Sequence, residues 1–266
     1  MKKMTFFLFV LLTMILASCA DDEGWNASDV CPEAGTNRYG MPNRGTFVDE
    51  RDGRVYKYTT IGDQVWMAEN LKFNAKYSLC YGLDSLCSDG GMGHQCILKT
   101  TNLDVVGEKI APDCEDVKCV AERFCDRFGR FYSLVERGTE HNFLDRDFVD
   151  TLCPIGWHVP TKVEYEHLLD AVGGSKSFRR LVSKDSTANY YVNAEGHNDK
   201  FYDECGFNAL FAGYFYSDGV LNEIFKLTRF ATSTSRHETA QFDLYLGWRA
   251  EYISNTMRSS VRCLKD

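Results

Sequence analysis

The sequence predicts an α+β domain of short strands, one clear helix and long loops that are braced by disulfide bonds. Three observations support this fold class: short β-prone runs alternate with turn residues, one segment carries the signals of a capped helix, and 11 cysteines occur in 266 residues. Many short strands with few helices are typical of α+β domains. A hydrophobic content of 44% and a charged content of 26% exclude a fibrous or wholly disordered chain.

The first 18 residues have the features of a signal peptide. Lys2 and Lys3 precede a nearly unbroken apolar run over residues 6–17, which is shorter than the about 20 residues that a transmembrane helix requires. The run Leu16-Ala17-Ser18-Cys19 resembles a bacterial lipobox, so we expect Cys19 to carry a diacylglycerol group and to become the mature N-terminus. An ordinary small-residue cleavage site, which would leave a freely secreted protein, is the alternative.

Lipidation would anchor the domain to a membrane of the cell envelope. The acidic run at 21–23 resembles the surface-export signal of some Bacteroidetes-like lineages and favours the outer membrane, whereas in enterobacteria such residues retain a lipoprotein at the inner membrane. Residues 19–45 have few periodic apolar positions, so we expect a flexible tether there. The net charge of −8 and the lack of a run of basic residues argue against a nucleic-acid partner.

The folded domain is expected over residues 46–266 and begins with a β-hairpin. Two β-prone runs, 46–48 and 55–61, flank the turn Asp52-Gly53, and a third strand is expected over residues 64–68. Further short strands are expected over residues 207–215, 220–226, 231–235, 241–246 and 259–264.

One helix is clearly encoded after residue 160. Thr161 is placed to cap the first turn, Glu164 occupies the capping-box position, and Gly173-Gly174 ends the helix. Residues 85–122 differ because they contain four cysteines, a glycine-rich run and little hydrophobic periodicity. We expect an inserted loop held by disulfides, since such a segment cannot offset its own ordering entropy.

The cysteine count fits an oxidising compartment. Setting Cys19 aside leaves ten cysteines, an even number that allows up to five disulfide bonds in an exported chain. Zinc is the competing interpretation for the closely spaced Cys114, Cys119 and Cys125, but no C-x-x-C pair occurs.

Short motifs follow one another through the domain: D-G-R-V-Y-K at 52–57, I-G-D-Q-V-W-M-A-E-N-L at 61–71, F-G-R-F-Y-S at 128–133, C-P-I-G-W-H-V-P-T at 153–161, G-F-N-A-L at 206–210, A-G-Y at 212–214, T-S-T at 232–234 and S-V-R-C-L-K-D at 260–266. In this order, over about 215 residues, they resemble the Fibrobacter succinogenes major paralogous domain, a family of secreted and lipid-anchored bacterial proteins. No molecular activity is firmly attached to that family.

The resemblance implies a fold similar to C-type-lectin-like and sulfatase-modifying-factor domains. In that fold the N- and C-terminal strands pair, and a cysteine before the helix bonds to one at the C-terminus. We therefore expect a disulfide between Cys153 and Cys263, which would close a loop of about 110 residues and stabilise the fold by roughly 4 to 5 kcal/mol. Cys80 with Cys125 is the second expected pair. The cysteine-rich segment 85–122 and Cys205 depart from the family pattern.

The sequence gives little support for catalysis. Oxidase chemistry of the sulfatase-modifying type would need a cysteine pair late in the chain, but Cys205 and Cys263 are far apart. His237-Glu238 lacks the second histidine of a zincin helix, and no G-x-S-x-G motif occurs. Glu164 and Glu166 lie two apart on a helix and so face differently, as a capping and a solvated residue. We expect no enzymatic activity.

Two candidate ligand sites remain. Asp145, Asp147 and Asp150 form an acidic run whose oxygens suit calcium, although Arg146 interrupts them, the Glu-Pro-Asn and Trp-Asn-Asp sugar-binding signatures of lectins do not occur, and a merely solvated loop is the alternative. Trp248 is our candidate for a ring that stacks on a sugar, with a core position at a strand end as the alternative.

Two other tryptophans, Trp66 and Trp157, lie within the motifs and are expected in the core. The sequence therefore predicts a lipid-anchored, non-catalytic binding or adhesion module of the cell envelope, with no cofactor other than calcium and with polysaccharide or a surface protein as ligand. An extracellular glycan-active enzyme and a structural envelope component are the alternatives.

Overall fold

Strands dominate the structure, which is a computed structural model. It describes residues 25–80, 108, 110–135, 144–185, 201–216, 220–234, 238–243, 247–252 and 257–266. Over these residues the chain forms a five-stranded sheet, a six-stranded sheet and a two-stranded pair, with helices between the strands. This is the α+β class expected from the sequence.

The five-stranded sheet joins the start of the domain to its end. Its strands are β1 (Arg44–Asp49), β2 (Arg54–Ile61), β3 (Gln64–Met67), β6 (Trp157–His158) and β13 (Leu264–Lys265). Their order is β1-β2-β3-β13-β6, and all neighbours are antiparallel. The predicted hairpin is confirmed, since β1 and β2 pair around Asp52-Gly53 with Val48 opposite Val55.

The six-stranded sheet is built from both halves of the chain. Its strands are β4 (Ser78–Leu79), β5 (Phe131–Tyr132), β9 (Leu227–Ala231), β10 (Glu238–Asp243), β11 (Gly247–Tyr252) and β12 (Ser259–Ser260), in the order β11-β10-β9-β12-β5-β4. The β9–β12 pair, with Phe230 opposite Ser260, is parallel, and the other neighbours are antiparallel.

The strand expected over residues 207–215 is much shorter. Only β7 (Tyr214–Phe215) forms, and it pairs with β8 (Leu221–Asn222). Upstream, the amide of Ala209 donates to the Leu181 carbonyl, and the Phe211 carbonyl accepts from Phe225. These backbone groups are satisfied by separate loops rather than by one neighbouring strand, so no ladder extends over them.

Four α-helices and one 3₁₀ helix have described bounds. They are α1 (Ala27–Val30), α2 (Val117–Phe128), α3 (Arg146–Leu152), α4 (Lys162–Ala171) and the 3₁₀ helix Ser175–Arg180. The predicted capping box of α4 is confirmed, because Thr161 and Glu164 exchange side-chain to backbone hydrogen bonds. Gly173 and Gly174 follow with φ angles of 100° and 89°, a region that favours glycine, and the helix ends there.

Helix α2 corrects the prediction for residues 85–122, because its first half lies where we expected a loop. Asp116 caps the helix by accepting a hydrogen bond from the amide of Cys119 at 2.8 Å. Val120, Phe124 and Phe128 follow one another at intervals of four residues and are buried. This apolar stripe was the overlooked signal. The part of the predicted insertion before residue 108 lies outside the described residues.

The tether predicted for residues 19–45 is wrong from Trp25 onward. The Trp25 indole N–H donates to the Ala171 carbonyl at 3.2 Å, and the Arg180 guanidinium carbon lies 3.8 Å from the centroid of the same ring. A disulfide joins Cys31 to Cys205. A hydrogen bond, a cation–π contact and a disulfide bond hold this segment on the domain. The predicted signal peptide and Cys19 lie outside the described residues.

The structure contains both expected disulfides, Cys153–Cys263 and Cys80–Cys125. A further bond joins Cys114 to Cys119, so these two thiols of the competing zinc interpretation are bonded to each other. The departure at Cys205 is explained by its bond to Cys31, which closes 174 residues of sequence. Cys87 and Cys96 lie outside the described residues.

Both motif tryptophans are buried, as predicted. Trp66 contacts Tyr165 of α4 and Phe207, with ring centroids 4.9 and 5.7 Å apart. Trp157 stacks on Phe47 of β1 at 4.4 Å. The first ring fixes α4 to the five-stranded sheet, and the second fixes β6 to the hairpin.

Candidate functional site

The C-P-I-G-W-H-V-P-T motif ends in a cluster of ionisable groups at the edge of the five-stranded sheet. His158 Nε2 lies 3.1 Å from Glu164 Oε1, and His158 Nδ1 lies 2.8 Å from Asp266 Oδ1. Strand β6 positions the histidine, the first turn of α4 positions Glu164, and β13 leads directly into Asp266. Because a carboxylate accepts at both ring nitrogens, the arrangement favours the doubly protonated imidazolium.

The pKa values of this cluster follow from its hydrogen bonds. The bond to Glu164 is the main cause that raises the pKa of His158 above 6.5, and the bond to Asp266 adds to it, while partial burial opposes both. Burial by itself would raise the pKa of Glu164, but the hydrogen bonds from His158 and Thr161 outweigh it and lower the value to about 2. The three side chains therefore form a surface ion cluster that joins the helix cap to the chain end.

Ion pairing favours the charged forms in this cluster. The pKa of His158 is raised and the pKa of Glu164 is lowered. The imidazole also occupies the space between the two carboxylates, where a glycosidase would place its water or glycosidic oxygen.

A second polar cluster is fully buried and centres on Arg262. Its Nε and Nη2 donate to Asn70 Oδ1 at 3.1 and 3.0 Å, and Nη2 also donates to the Asn208 carbonyl at 3.0 Å. Nη1 donates to the Phe207 carbonyl, and the guanidinium lies over that phenyl ring at 4.3 Å. Burial lowers the pKa of Arg262 to about 10, and the group remains charged at neutral pH. The cluster stabilises the core by joining three distant motifs.

A third cluster lies where β7 meets β9. The guanidinium carbon of Arg229 lies 3.9 Å from the centroid of the Tyr214 ring, and its Nε donates to Gln241 Oε1 at 2.8 Å. The Tyr214 ring in turn packs edge-on against Tyr216 with centroids 5.2 Å apart. Tyr216 has 36% of its surface exposed, whereas Tyr214 and Arg229 are buried. A partly exposed ring is thus supported from below by a ring and a fixed cation.

Arg258 lies beside this third cluster and differs from every other arginine described above. It is 4% exposed, yet its Nε and Nη1 have no hydrogen-bond partner within the described residues. Its backbone exchanges two hydrogen bonds with Phe215 of β7, at 2.8 and 3.0 Å. The sequence analysis did not single out Arg258, since only the three-dimensional pairing shows that it is buried.

Trp248 lies in β11, an edge strand, directly opposite Phe242 of β10. Residues opposite each other in an antiparallel pair share one face of the sheet. Phe242 is fully buried. Sugar stacking and a core position both stay predictions for Trp248.

The acidic run at 145–150 is a capped helix rather than a loop. Asp145 caps α3 by accepting from the Phe148 amide at 3.1 Å, and Asp147 and Asp150 lie within the helix. The cap satisfies one of the free amides at the start of the helix. No group of three or more metal-ligating side chains occurs in the part of the chain that the structure describes. Calcium binding at these three residues stays a prediction.

None of the helices in the described ranges combines the length and the apolar character needed to cross a membrane. No curated protein matches the chain, and no solved structure does. The family model described as the Fibrobacter succinogenes major domain matches residues 59–265, which include β3, α4, Arg258, Arg262 and the C-terminal strand. The chain belongs to the Fibrobacter succinogenes major domain family.

Proposed function

We propose that this protein is a lipid-anchored, non-catalytic module of the cell envelope, on the outer membrane, and that it binds polysaccharide. The observation that carries the proposal is the supported aromatic pair at the end of β7, in which Tyr216 packs on Tyr214 and Tyr214 packs on Arg229. Aromatic rings offer a large apolar face with little conformational freedom to lose, and a hydroxyl adds a polar contact.

The support beneath Tyr216 makes this ring a rigid platform. Gln241 fixes Arg229, Arg229 holds the Tyr214 ring, and the hydroxyls of Tyr214 and Tyr216 lie 3.4 Å apart. Burial is the main cause that raises the pKa of Tyr214 to about 12, so its hydroxyl stays protonated at neutral pH. Because the ring is already ordered, binding a sugar does not carry the entropic cost of ordering it.

The closed His158 cluster supports a non-catalytic role. Its two carboxylates each contact one ring nitrogen of the imidazole, which lies between them. Ion pairing favours protonated His158 and ionised Glu164, and these charge states brace the fold.

We also propose the finer architecture of a C-type-lectin-like domain. Two features support it: β13 lies between β3 and β6, so the start and end of the domain share one sheet, and Cys153 before α4 is bonded to Cys263.

The binding proposal is tested by retention of the full-length protein, in detergent, on a panel of insoluble glycans. Tyr216→Ala should abolish retention. Tyr202→Ala is the matched control, since Tyr202 is a similarly exposed tyrosine at 45% and lies outside this cluster. Equal retention of both variants would reject the Tyr216 platform. Release of reducing sugar from any glycan would overturn the non-catalytic role.

The anchor is tested by metabolic labelling with a fatty-acid analogue. The wild type should be labelled and Cys19→Ala should not be. Equal labelling of the two proteins would remove the lipid anchor from the proposal.

A further inference from the structure

Arg258 is a buried cation with unused donors. Only 4% of the residue is exposed, and neither Nε nor Nη1 has a hydrogen-bond partner in the described parts of the chain. Removing a charge from water costs several kcal/mol unless a partner compensates for it, and buried charges are almost always paired. Arg262, which lies four residues further on, has a structural role, and its guanidinium donates hydrogen bonds to Asn70 and to the Asn208 carbonyl.

The surroundings of Arg258 add a second unused donor. Strand β12 pairs with β5 in the register Ser259–Tyr132 and Ser260–Phe131. Extending this antiparallel register by one residue sets Ser133 opposite Arg258, and opposed residues share a face of the sheet. Ser133 is buried, and its hydroxyl also has no partner among the described residues. Two neighbouring positions on one face therefore carry unsatisfied donors.

The chemistry of these donors selects an anion. A guanidinium presents its N–H groups in a fixed planar fork that matches a carboxylate, and a serine hydroxyl adds one further donor. Because little of Arg258 is exposed, the group that it binds must be small. Because the guanidinium is planar, a planar group fits it best. In a chain with a net charge of −8, a buried unpaired cation also marks the place where a small anion is attracted rather than repelled.

We propose that Arg258, assisted by Ser133, binds the carboxylate group of a ligand at the junction of β5, β7 and β12. Two backbone hydrogen bonds to Phe215 of β7 fix the Arg258 backbone on the other side, so the sheet holds this residue in place before the ligand arrives. This inference goes beyond the proposed function, since it concerns a carboxylate of any small acid and does not require that the protein retain a polysaccharide.

The experiment measures thermal unfolding of the full-length protein with sodium acetate and sodium galacturonate. Sodium chloride at equal ionic strength and neutral galactose are the controls. Both carboxylates should raise the Tm of the wild type, and the controls should not. Arg258→Met should remove this shift and weaken galacturonate binding by about tenfold or more, the loss of one charged hydrogen bond. Ser133→Ala should weaken it by a smaller factor and leave the fold intact.

A structural role for Arg258 would give the opposite pattern. In our proposal Arg258→Met without ligand keeps the wild-type Tm or raises it, because no partner is left unsatisfied. If Arg258→Met lowers the Tm as much as Arg262→Met does, or fails to fold, the proposal is wrong. It is also wrong if neither carboxylate raises the Tm of the wild type beyond chloride, or if Ser133→Ala binds galacturonate as tightly as the wild type does. Binding of galacturonate without retention on any glycan would support the carboxylate site and reject the proposal that the protein binds polysaccharide.

Discussion

Two buried arginines, four residues apart in the C-terminal segment, have opposite surroundings. Arg262 donates to Asn70, to the Asn208 carbonyl and to the Phe207 carbonyl, and no part of it is exposed. Arg258 is nearly as buried, but two of its nitrogens have no partner in the described residues. The comparison shows that the fold can supply a full set of acceptors where the charge is structural. We therefore infer a different role for Arg258.

The most direct test of this difference between Arg262 and Arg258 is to remove each guanidinium in turn. Arg262→Met leaves the Asn70 amide oxygen and two carbonyls unsatisfied in the core, so we expect a loss of about 3–5 kcal/mol in the free energy of unfolding, or no folding. Arg258→Met should change stability by less than about 1 kcal/mol without ligand. Chemical denaturation of both variants measures the difference. Equal losses would mean that the two arginines have the same role.

The disulfide next to Arg262 tests how far the C-terminal segment depends on covalent bonding. The bond Cys153–Cys263 spans 110 residues of sequence, and the chain-entropy relation gives about 4–5 kcal/mol for such a loop. The bond Cys114–Cys119 spans 5 residues, for which the same relation gives about 2 kcal/mol. Replacing each pair by alanines should therefore destabilise the domain unequally in thermal unfolding. A larger effect at the short loop would contradict this explanation.

Trp248 extends the comparison to the far edge of the six-stranded sheet. Trp248 pairs with Phe242 across β10 and β11, and a core position predicts that Trp248→Ala costs about 3–5 kcal/mol of stability, as for other buried large-to-small changes. Glycan retention should then change only as much as the unfolded fraction does. An unchanged Tm with lost retention would instead establish Trp248 as the sugar-stacking ring and displace Tyr216.

The exposed His158 cluster should show the smallest effect, and it should depend on pH. The pKa of Glu164 is lowered from 4.5 to about 2, so its contribution to stability is present above pH 4.5 and is lost as the pH falls toward 2. The pKa of His158 is raised above 6.5, so its contribution is full below pH 6.5 and is lost as the pH rises through the folded-state value. Stability from this cluster is therefore greatest between about pH 4.5 and 6.5.

His158→Gln is the matched variant for that profile. It should remove the loss of stability on the alkaline side and reduce the loss on the acid side, since Glu164 keeps its bonds to Thr161. The Tm measured across pH 3–9 gives the loss of stability on both the acid and the alkaline side. A variant with the same profile as the wild type would show that the cluster does not couple to folding.

Local signals explain why some elements were predictable. The hairpin around Asp52-Gly53 and the cap at Thr161 each depend on residues within a few positions of one another, and both are present in the structure. Helix α2 was not predicted although its signal is also local, because Cys119 and Cys125 lie among its apolar side chains and indicated a loop held by disulfides. The segment after Trp25 was misjudged for a different reason, since its order comes from Ala171, Arg180 and Cys205, all distant in sequence.

The sequence by itself determined the α+β class, the hairpin, the capped helix and the resemblance to the family. Each of these depends on residues that are close in sequence or on the order of the motifs. Only the tertiary structure decided which cysteine joins Cys31 and which arginine finds acceptors. Arg258 and Arg262 are the same residue type in the same segment, and no local pattern separates them. Their difference arises from Asn70 and Asn208, which lie 192 and 54 residues away and which the packed sheets bring to one arginine and not to the other.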